Sequence, residues 1–265
     1  MQFWKMNVAG NDFILLNGAE EQTSAERLLA LAKSLCTRRL SVGADGLAVL
    51  NAPKQDGDFS AAFYHAGGSA EAFNGNGLCC LCRFARENGI CGETARAETA
   101  CGIVQGQKIA DDLYRVHLPE PTSFRSGFQV HVDERILTCS YVEFGSKENA
   151  HAVMEIQNLR GFNVETARQL CKRLCDSQNA DVDLYDRIGD DRIYLRTYSK
   201  AAGDYLMSSG MGAAAAAYIL KQQGKLTGNC LHVESAGGTL TVELLDDGLY
   251  LTAPTVLVAK GETQE

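Results

Sequence analysis

The feature that most constrains this chain is a pair of glycine loops, each placed between a strand-like and a helix-like segment. The loops read Asn74-Gly75-Asn76-Gly77 and Ser209-Gly210-Met211-Gly212. A glycine loop that leads into a helix presents backbone N–H groups and the positive end of the helix dipole, so each loop can hold an anion. Two such loops facing each other would bind a small carboxylate from both sides.

The two loops belong to an internal repeat. Gly75 and Gly210 lie 135 residues apart, and the segment 98–102 resembles 234–238 at an offset of 136. The prolines that close the two halves are 133 residues apart. Three landmarks in the same order at nearly one offset predict a duplicated domain rather than a short solenoid period. Chance matching of glycine and alanine is the alternative.

Residue periodicity predicts an α+β fold. Predicted strands are 58–64, 191–198 and 231–234, and predicted helices are 25–38, 78–88, 165–174 and 213–221. These elements predict two similar lobes, residues 1–122 and 123–265, of mostly antiparallel sheet around or against helices. The stretch near 120–128 is rich in Pro, Ser and Gly and is the predicted boundary. The closing strand is free to cross over to the other lobe.

Charge and hydropathy exclude several partners. The chain has 25 basic and 33 acidic residues, a net charge of −8 and no stripe of Lys or Arg, which argues against nucleic acid or an anionic membrane. No apolar run reaches about 18 residues, so no segment is expected to span a bilayer. The first six residues lack the features of a signal peptide. The ten cysteines therefore predict reduced thiols in a cytoplasmic protein.

The run Cys79-Cys80-Leu81-Cys82 has two interpretations. A metal site is one, but the run lacks a second Cys or His pair at a zinc-finger spacing. Cys79 and Cys82 lie about one helical turn apart after the first glycine loop, which favours small buried residues on a helix. No metal is predicted.

Motifs along the whole chain carry a family resemblance. Apart from the two loops, they are Gly10-Asn11-Asp12-Phe13, Val42-Gly43-Ala44-Asp45-Gly46, Gly68-Ser69-Ala70-Glu71, Asn149-Ala150-His151, Arg196 with Tyr198, and Gly237-Gly238. In this order they resemble the motifs of the diaminopimelate epimerase family. The resemblance implies that family's two-lobe fold, an isomerase active on a small amino acid or related carboxylate, and a role in lysine biosynthesis. It is less specific for the reaction, because one fold can host several chemistries.

The family's mechanism cannot be carried over unchanged. In that family one cysteine thiolate removes the α-proton, a second cysteine returns a proton on the opposite face, and no cofactor is used. The resemblance places the first cysteine at Asn74 and the second at Ser209, with Ser208 as an alternative. Each lost acid–base group reduces the rate by roughly 10²–10⁴. Little ordinary two-thiol epimerisation is therefore expected.

The resemblance also implies a set of substrate-binding positions. They are Asn11, Ser69, Gly75, Asn76, Asn149, Asp181, Ser199, Lys200, Gly210 and Met211. Asp181 stands where the family uses an asparagine for the far end of the substrate, and Ser199-Lys200 stands where the family has Glu-Arg. A carboxylate at position 181 would repel a second substrate carboxylate and tolerate an amine or a hydroxyl.

Three titratable residues are candidates for new roles. His65 replaces a family asparagine and is either a general base or a hydrogen-bonding substitute for that asparagine. Asp181 and Asp204 are either pocket residues or solvated surface carboxylates. His151 matches a family position at which orienting a loop is favoured over proton transfer.

Two classes of function remain open. The first is an altered enzyme of the family that acts on a small amino or hydroxy acid and uses no cofactor. The second is a catalytically silent homologue that binds an amino acid or pairs with an active partner subunit. A homodimer is also compatible with the resemblance. An enzyme needs a titratable group near the loops, whereas a binding protein needs only the carboxylate clamp.

Overall fold

A computed structural model describes residues 1–21, 23–132 and 135–264 of the chain. The chain forms two compact units. The first unit consists of Met1–Leu118 with Thr252–Glu265, and the second unit consists of Pro119–Leu251. The class is α+β, as the sequence predicts, because sheet dominates both units and most strand pairs are antiparallel.

The first unit contains nine strands and three helices among its described residues. The strands are β1 Gln2–Val8, β2 Asn11–Asn17, β3 Gly46–Asn51, β4 Phe59–His65, β5 Ala70–Glu71, β6 Thr94–Thr99, β7 Gly102–Lys108, β8 Leu113–His117 and β18 Val256–Glu262. The helices are α1 Gly18–Glu21, α2 Ala25–Leu35 and α3 Gly75–Glu87. The main strands pair in the order β18-β1-β2-β3-β4-β6-β7-β8. Only the β2–β3 and β4–β6 pairs of this series are parallel, and α2 and α3 make these two crossovers.

The second unit repeats this plan. Its strands are β9 Pro121–Val132, β10 Arg135–Phe144, β11 Ser146–Glu155, β12 Asp181–Arg187, β13 Arg192–Ser199, β14 Asp204–Tyr205, β15 Cys230–Ser235 and β16 Gly238–Leu245, with β17 Gly248–Pro254 next in the chain. They pair in the order β9-β10-β11-β12-β13-β15-β16. The parallel pairs β11–β12 and β13–β15 are bridged by α4 Val164–Gln178 and α5 Gly210–Gln222. The repeated strand order and orientation confirm the duplication predicted from the sequence.

The first crossover helix of each unit is amphipathic. In α2, Leu28, Leu31 and Leu35 are buried, and the Ser24 side chain caps the helix by accepting a hydrogen bond from Arg27 N. Helix α4 buries an equivalent stripe and ends at Asn179, which has left-handed backbone angles. Helix α2 ends earlier than predicted, because Leu35 O accepts a hydrogen bond from Gly43 N and the chain turns back.

The second crossover helices begin three residues before the predicted starts. Helix α3 begins at Gly75 and α5 at Gly210, so both glycine loops form the first turn of a helix. On α3 the side chains of Cys79, Cys80 and Cys82 are buried, which confirms their interpretation as helix-packing residues. Burial raises the pKa of all three thiols, so they are neutral at physiological pH.

The segment predicted as the boundary, 120–128, begins directly after the division between the two units, which falls between Leu118 and Pro119. Residues 121–128 lie in β9, which pairs with β10 along its length. Pro121 opens the strand, where a missing N–H is tolerated. Gly127 has a φ of 63° and its N–H donates to Ser140 Oγ at 3.2 Å, where the register shifts. Pro and Gly therefore mark a strand start and a bulge here. In the described part of the chain, no helix is long and apolar enough to cross a membrane.

Candidate functional site

The glycine loops are capped in the same way in both units. Asn74 precedes α3 and its Oδ1 accepts a hydrogen bond from Gly77 N at 2.8 Å. Ser209 precedes α5 and its Oγ accepts from Gly212 N at 2.9 Å. The cap angles are nearly equal, with φ −136° and ψ 110° at Asn74 and φ −140° and ψ 118° at Ser209. Ser209, rather than Ser208, is therefore the counterpart of Asn74.

Each helix start lies close against its own sheet. A Cβ atom at Gly77 would lie 3.0 Å from the Phe63 ring. A Cβ atom at Gly212 would lie 2.2 Å from Asp183 Oδ1 and 2.6 Å from Thr197 Oγ1. A Cβ at Gly212 would force these side chains to shift, and a Cβ at Gly77 would require the Phe63 ring to move by a few tenths of an ångström, so both glycines favour the close approach of helix to sheet.

His65 lies in a cluster with Glu71 and Asn74 in the first unit. The His65 Nδ1 atom is 3.8 Å from Glu71 Oε2, and Asn74 Nδ2 donates to both Glu71 oxygens at 3.1 Å. Burial lowers the pKa of His65, so its imidazole is mostly neutral at pH 7. The side-chain oxygen of Asn74 therefore caps the helix, and its side-chain nitrogen donates hydrogen bonds to Glu71. The cluster therefore holds the basic imidazole ring of His65, which can donate or accept a hydrogen bond, beside the Glu71 carboxylate.

A chain of amides and ions fixes Asn11 near the same helix start. Asn76 Nδ2 donates to Asn11 Oδ1 at 3.0 Å, and Asn11 Nδ2 donates to Asp45 Oδ2 at 2.9 Å. Arg38 bonds both Asp45 and Asp12. Burial alone would raise the pKa of Asp12, but the ion pairs with Arg38 and a lysine outweigh burial and lower it. The network thus holds the ionised Asp12 carboxylate below the first turn of α3.

The second unit has a buried polar cluster of His151, Asp183 and Thr197. His151 Nδ1 is 2.7 Å from Asp183 Oδ2, and Thr197 Oγ1 donates to Asp183 Oδ1 at 2.6 Å. All three residues are at most 3 % exposed. Asp183 and Thr197 are also the side chains nearest to a Cβ placed on Gly212. This cluster therefore lies against the start of α5, which Ser209 caps.

The polar cluster has no polar counterpart in the first unit. The parallel registers pair Phe13 with Gly46 and His151 with Asp181, so Phe13 is the counterpart of His151. The antiparallel registers pair Ala48 with Phe63 and Asp183 with Thr197. The first unit therefore has Phe13, Ala48 and Phe63 where the second unit has the polar cluster.

Asp181 lies on the same face of β12 as Asp183, because side chains two residues apart in a strand share a face. Its Oδ1 accepts a hydrogen bond from the Lys200 backbone N at 2.7 Å. The Lys200 ammonium donates to Asn179 Oδ1 instead. Burial raises the pKa of Asp181. The lysine charge is thus directed at Asn179, and Asp181 contributes a carboxylate to the polar face.

The remaining predicted residues divide into buried and peripheral ones. Ser199 is buried and its Oγ accepts from Ala202 N at 3.3 Å, and Asn149 is buried and donates to Phe144 O at 3.4 Å. Gly75, Asn76, Gly210 and Met211 are buried in the first helical turns. Ser69 is exposed, and its carbonyl accepts the His65 N–H at 2.9 Å.

Asp204 does not join the polar face. Its side chain is 56 % exposed and forms an ion pair with Arg168. Of the two interpretations given to it, the solvated surface carboxylate is the one that fits. Among the described residues, no group of three or more His, Cys, Asp and Glu side chains gathers in a way that could hold a metal ion.

Two site residues were missed from the sequence. Glu71 was quoted only as part of a motif, although its spacing of three residues from Asn74 permits a side-chain contact across the turn. Asp183 lies two residues after Asp181, and strand alternation places both carboxylates on one face. Their partners His65 and His151 come from other strands, so these contacts depend on sheet register.

Comparison with known proteins identifies the class of the fold and then the family. A sequence model described as diaminopimelate epimerase matches residues 3–118. A diaminopimelate epimerase of Moorella thermoacetica is 30% identical over 282 residues, covering 99% of this chain and 99% of that protein. One from Archaeoglobus fulgidus is 29% identical, covering 98% and 95%.

A solved structure supports the same fold class. A hydroxyproline epimerase from Agrobacterium vitis, with bound trans-4-hydroxy-L-proline, superposes with a TM-score of 0.77 at 16% identity, covering 98% of this chain and 91% of that one. At this identity the likeness shows the fold alone. With the full-length relatives, it follows that the chain belongs to the diaminopimelate epimerase family.

We expect Gly212→Ala to destabilise the protein by about 1–3 kcal/mol, because the new Cβ would overlap the Asp183 carboxylate in a cluster that cannot move aside. Gly92→Ala is the matched control, since no heavy atom lies within 4 Å of a Cβ at that position, and its effect should stay within about 0.5 kcal/mol. Urea denaturation measures both. Equal midpoints for the two variants would contradict the described approach of α5 to its sheet.

Proposed function

We propose that this protein is a cofactor-independent isomerase that moves a proton at the α-carbon of a small amino acid or hydroxy acid without using a thiol. The observation that carries the proposal is the cluster of His65, Glu71 and Asn74 at the start of α3. The resemblance puts the proton-abstracting thiol of the family at this same position. A histidine beside a carboxylate supplies a base where the thiol is missing.

The thiols of the chain are poor substitutes for the two missing ones. All ten cysteines are free, and seven are buried. Burial raises the pKa of Cys36 to about 12 and that of Cys91 to about 11. The thiolate is the reactive form of a cysteine, and these side chains are protonated at neutral pH. Asn74 and Ser209 themselves lack a titratable base.

His65 has the properties of a general base. Its lowered pKa keeps the imidazole neutral at pH 7, so it can accept a proton. Its Nδ1 atom faces Glu71, so the α-proton would go to Nε2. The C–H bond breaks, an N–H bond forms, and the electron pair stays on the α-carbon. Glu71 then stabilises the imidazolium, while backbone amides at the start of α3 stabilise the carbanion through the substrate carboxylate.

A silent binding protein is the second candidate. The observation that favours it is that both cap side chains are already engaged, Asn74 on Gly77 and Glu71, and Ser209 on Gly212. Such a protein would bind an amino acid, or support a partner subunit, without exchanging the α-proton. Binding without exchange is therefore the result that would favour this candidate.

Solvent exchange tests the enzyme directly. The protein is incubated in deuterated water with a panel of amino and hydroxy acids, and loss of the α-proton signal is followed by NMR. We expect exchange with at least one compound, and we expect His65→Gln to reduce its rate by roughly 10²–10⁴ because the base is removed. Diaminopimelate should not exchange at an ordinary enzymatic rate.

His232→Gln is the matched control for this experiment. His232 lies on β15, where its Nδ1 contacts Thr241 Oγ1 at 3.2 Å, and it has no place in the proposed mechanism. This variant should keep the wild-type exchange rate. If His65→Gln keeps it as well, His65 is not the base and the proposal fails.

Asp181 is proposed to set the preferred substrate. A carboxylate on the polar face of the second unit repels a second substrate carboxylate, so ligands with a cationic or neutral far end should bind better. A thermal-shift screen of monocarboxylic, basic and dicarboxylic amino acids measures this preference. Asp181→Asn should bring the dicarboxylic compounds closer to the others. Stabilisation by diaminopimelate alone, unchanged in Asp181→Asn, would show that Asp181 does not contact the ligand.

A further inference from the structure

A cavity of about 250 Å³ lies in the second unit beside the last turns of α5. Its lining residues come from that helix and from the strands β10, β11 and β12, and all of them belong to the second unit. The side chains of Ile136, Val153 and Ile219 line it together with the polar side chains of Ser140 and Gln223. The cavity is many times larger than the space that one water molecule requires.

The duplication shows which residue of the first unit corresponds to Ser140. The strand pairs β10–β11 and β1–β2 occupy equivalent places in the two units. Ser140 pairs with Val153, which lies two residues beyond His151 on β11. Trp4 pairs with Leu15, which lies two residues beyond the counterpart of His151 on β2. Ser140 is therefore the counterpart of Trp4.

The two helices are compared through the glycine loops at their starts. Ile219 lies nine residues after Gly210, and Phe84 lies nine residues after Gly75, so Ile219 and Phe84 are counterparts. In the first unit the Trp4 ring packs edge-on against the Phe84 ring, with centroids 5.0 Å apart, and Trp4 is 9 % exposed. An indole ring therefore fills the space between helix and sheet in the first unit.

The second unit has smaller side chains at both of these positions. A serine corresponds to the tryptophan and an isoleucine to the phenylalanine, and both Ser140 and Ile219 line the cavity. When a small side chain stands in place of a large buried one, the surrounding structure relaxes only partly and leaves space. The cavity is therefore the place at which the first unit carries its indole ring.

The wall beside Ser140 carries a hydrogen-bond acceptor without a donor. Gln223 Nε2 donates to Ser140 Oγ at 3.1 Å and to Ser126 Oγ at 3.3 Å, so the amide nitrogen faces the two serines. The other end of the amide, Gln223 Oε1, is buried and accepts no hydrogen bond from any residue that the structure describes. A buried acceptor without a donor is unfavourable, so an N–H group brought to this wall would satisfy it.

The charged groups of the lining compensate each other. Lys225 Nζ donates to Glu155 Oε2 at 2.7 Å, and the Tyr185 hydroxyl donates to the same oxygen at 3.2 Å. Burial raises the pKa of Tyr185, so its phenol is neutral. The lining thus carries one positive and one negative charge, which are already paired, and it favours an uncharged ligand.

We propose that this cavity binds a small, uncharged aromatic molecule that carries an N–H group and has the size and shape of an indole. The ring occupies the space that Trp4 fills in the first unit, against Val153 and Ile219, and the N–H group donates to Gln223 Oε1. The site lies at the opposite end of α5 from Ser209, about 20 Å along the helix. It does not depend on the proposed proton transfer.

Ligand-observed NMR with the full chain tests this site, with indole as the probe. Indole should bind the wild type and show nuclear Overhauser contacts to the methyl groups of Ile219. Benzofuran has the same shape but no N–H group, so it should bind roughly threefold to tenfold more weakly. Gln223→Met removes the acceptor and keeps a side chain of similar length, so this variant should bind indole no better than benzofuran.

Gln222→Met is the matched control. Gln222 is the neighbouring residue on α5, but it is exposed and does not line the cavity. This variant should keep the preference for indole over benzofuran. Ser140→Trp places the side chain of the first unit inside the cavity and should abolish the binding of both compounds.

Three results with the wild type alone would overturn the inference. They are the absence of indole binding, nuclear Overhauser contacts that lie only outside the cavity, and equal affinities for indole and benzofuran. Each of them decides the matter even if Ser140→Trp does not fold. If Ser140→Trp folds and still binds indole with the wild-type affinity, the cavity is not the site and the inference fails as well.

Discussion

The close approach of a helix start to a sheet at Gly77 and at Gly212 is the constraint on which the rest of the structure depends. A side chain at either position would displace its neighbours, because a Cβ would lie 3.0 Å from Phe63 or 2.2 Å from Asp183. Asn74 and Ser209 cap the same two helices, so a backbone N–H of the first turn holds each of these side chains. The close approach also brings residues of each sheet next to the helix start.

The two units share this frame but differ in what they place below it. The first unit has an apolar face with His65 and Glu71 at its edge, and the second has a buried His–Asp pair. A duplicated fold can therefore keep its strand order while its two halves acquire different acid–base groups. Titratable side chains lie near both caps, His65 and Glu71 in the first unit and His151 and Asp183 in the second.

The sequence predicted the parts of this account that depend on local pattern. The α+β class, the two glycine loops at helix starts, the duplication and the buried cysteines of α3 all follow from periodicity, spacing and glycine placement. The predicted starts of α3 and α5 lie three residues too far along the chain, because Gly75 and Gly210 are weak helix formers. The capping side chains nevertheless stabilise both glycines in the first helical turn. The segment 120–128 was predicted as the boundary from its Pro, Ser and Gly residues, and residues 121–128 of it belong to β9, where Gly127 lies at a bulge. The His65–Glu71 and His151–Asp183 contacts join residues of neighbouring strands and depend on the register of those strands, which a single sequence does not show.

Thiol blocking tests the central claim, that the α-proton is transferred without cysteine. Cys91, Cys101 and Cys230 are the partly exposed thiols, and methyl methanethiosulfonate modifies accessible thiols with a small group. The α-proton exchange rate of the best compound is measured before and after complete modification of these three residues. The account predicts an unchanged rate. Loss of exchange on modification, restored by dithiothreitol, would show that a thiol carries the reaction and would contradict the account.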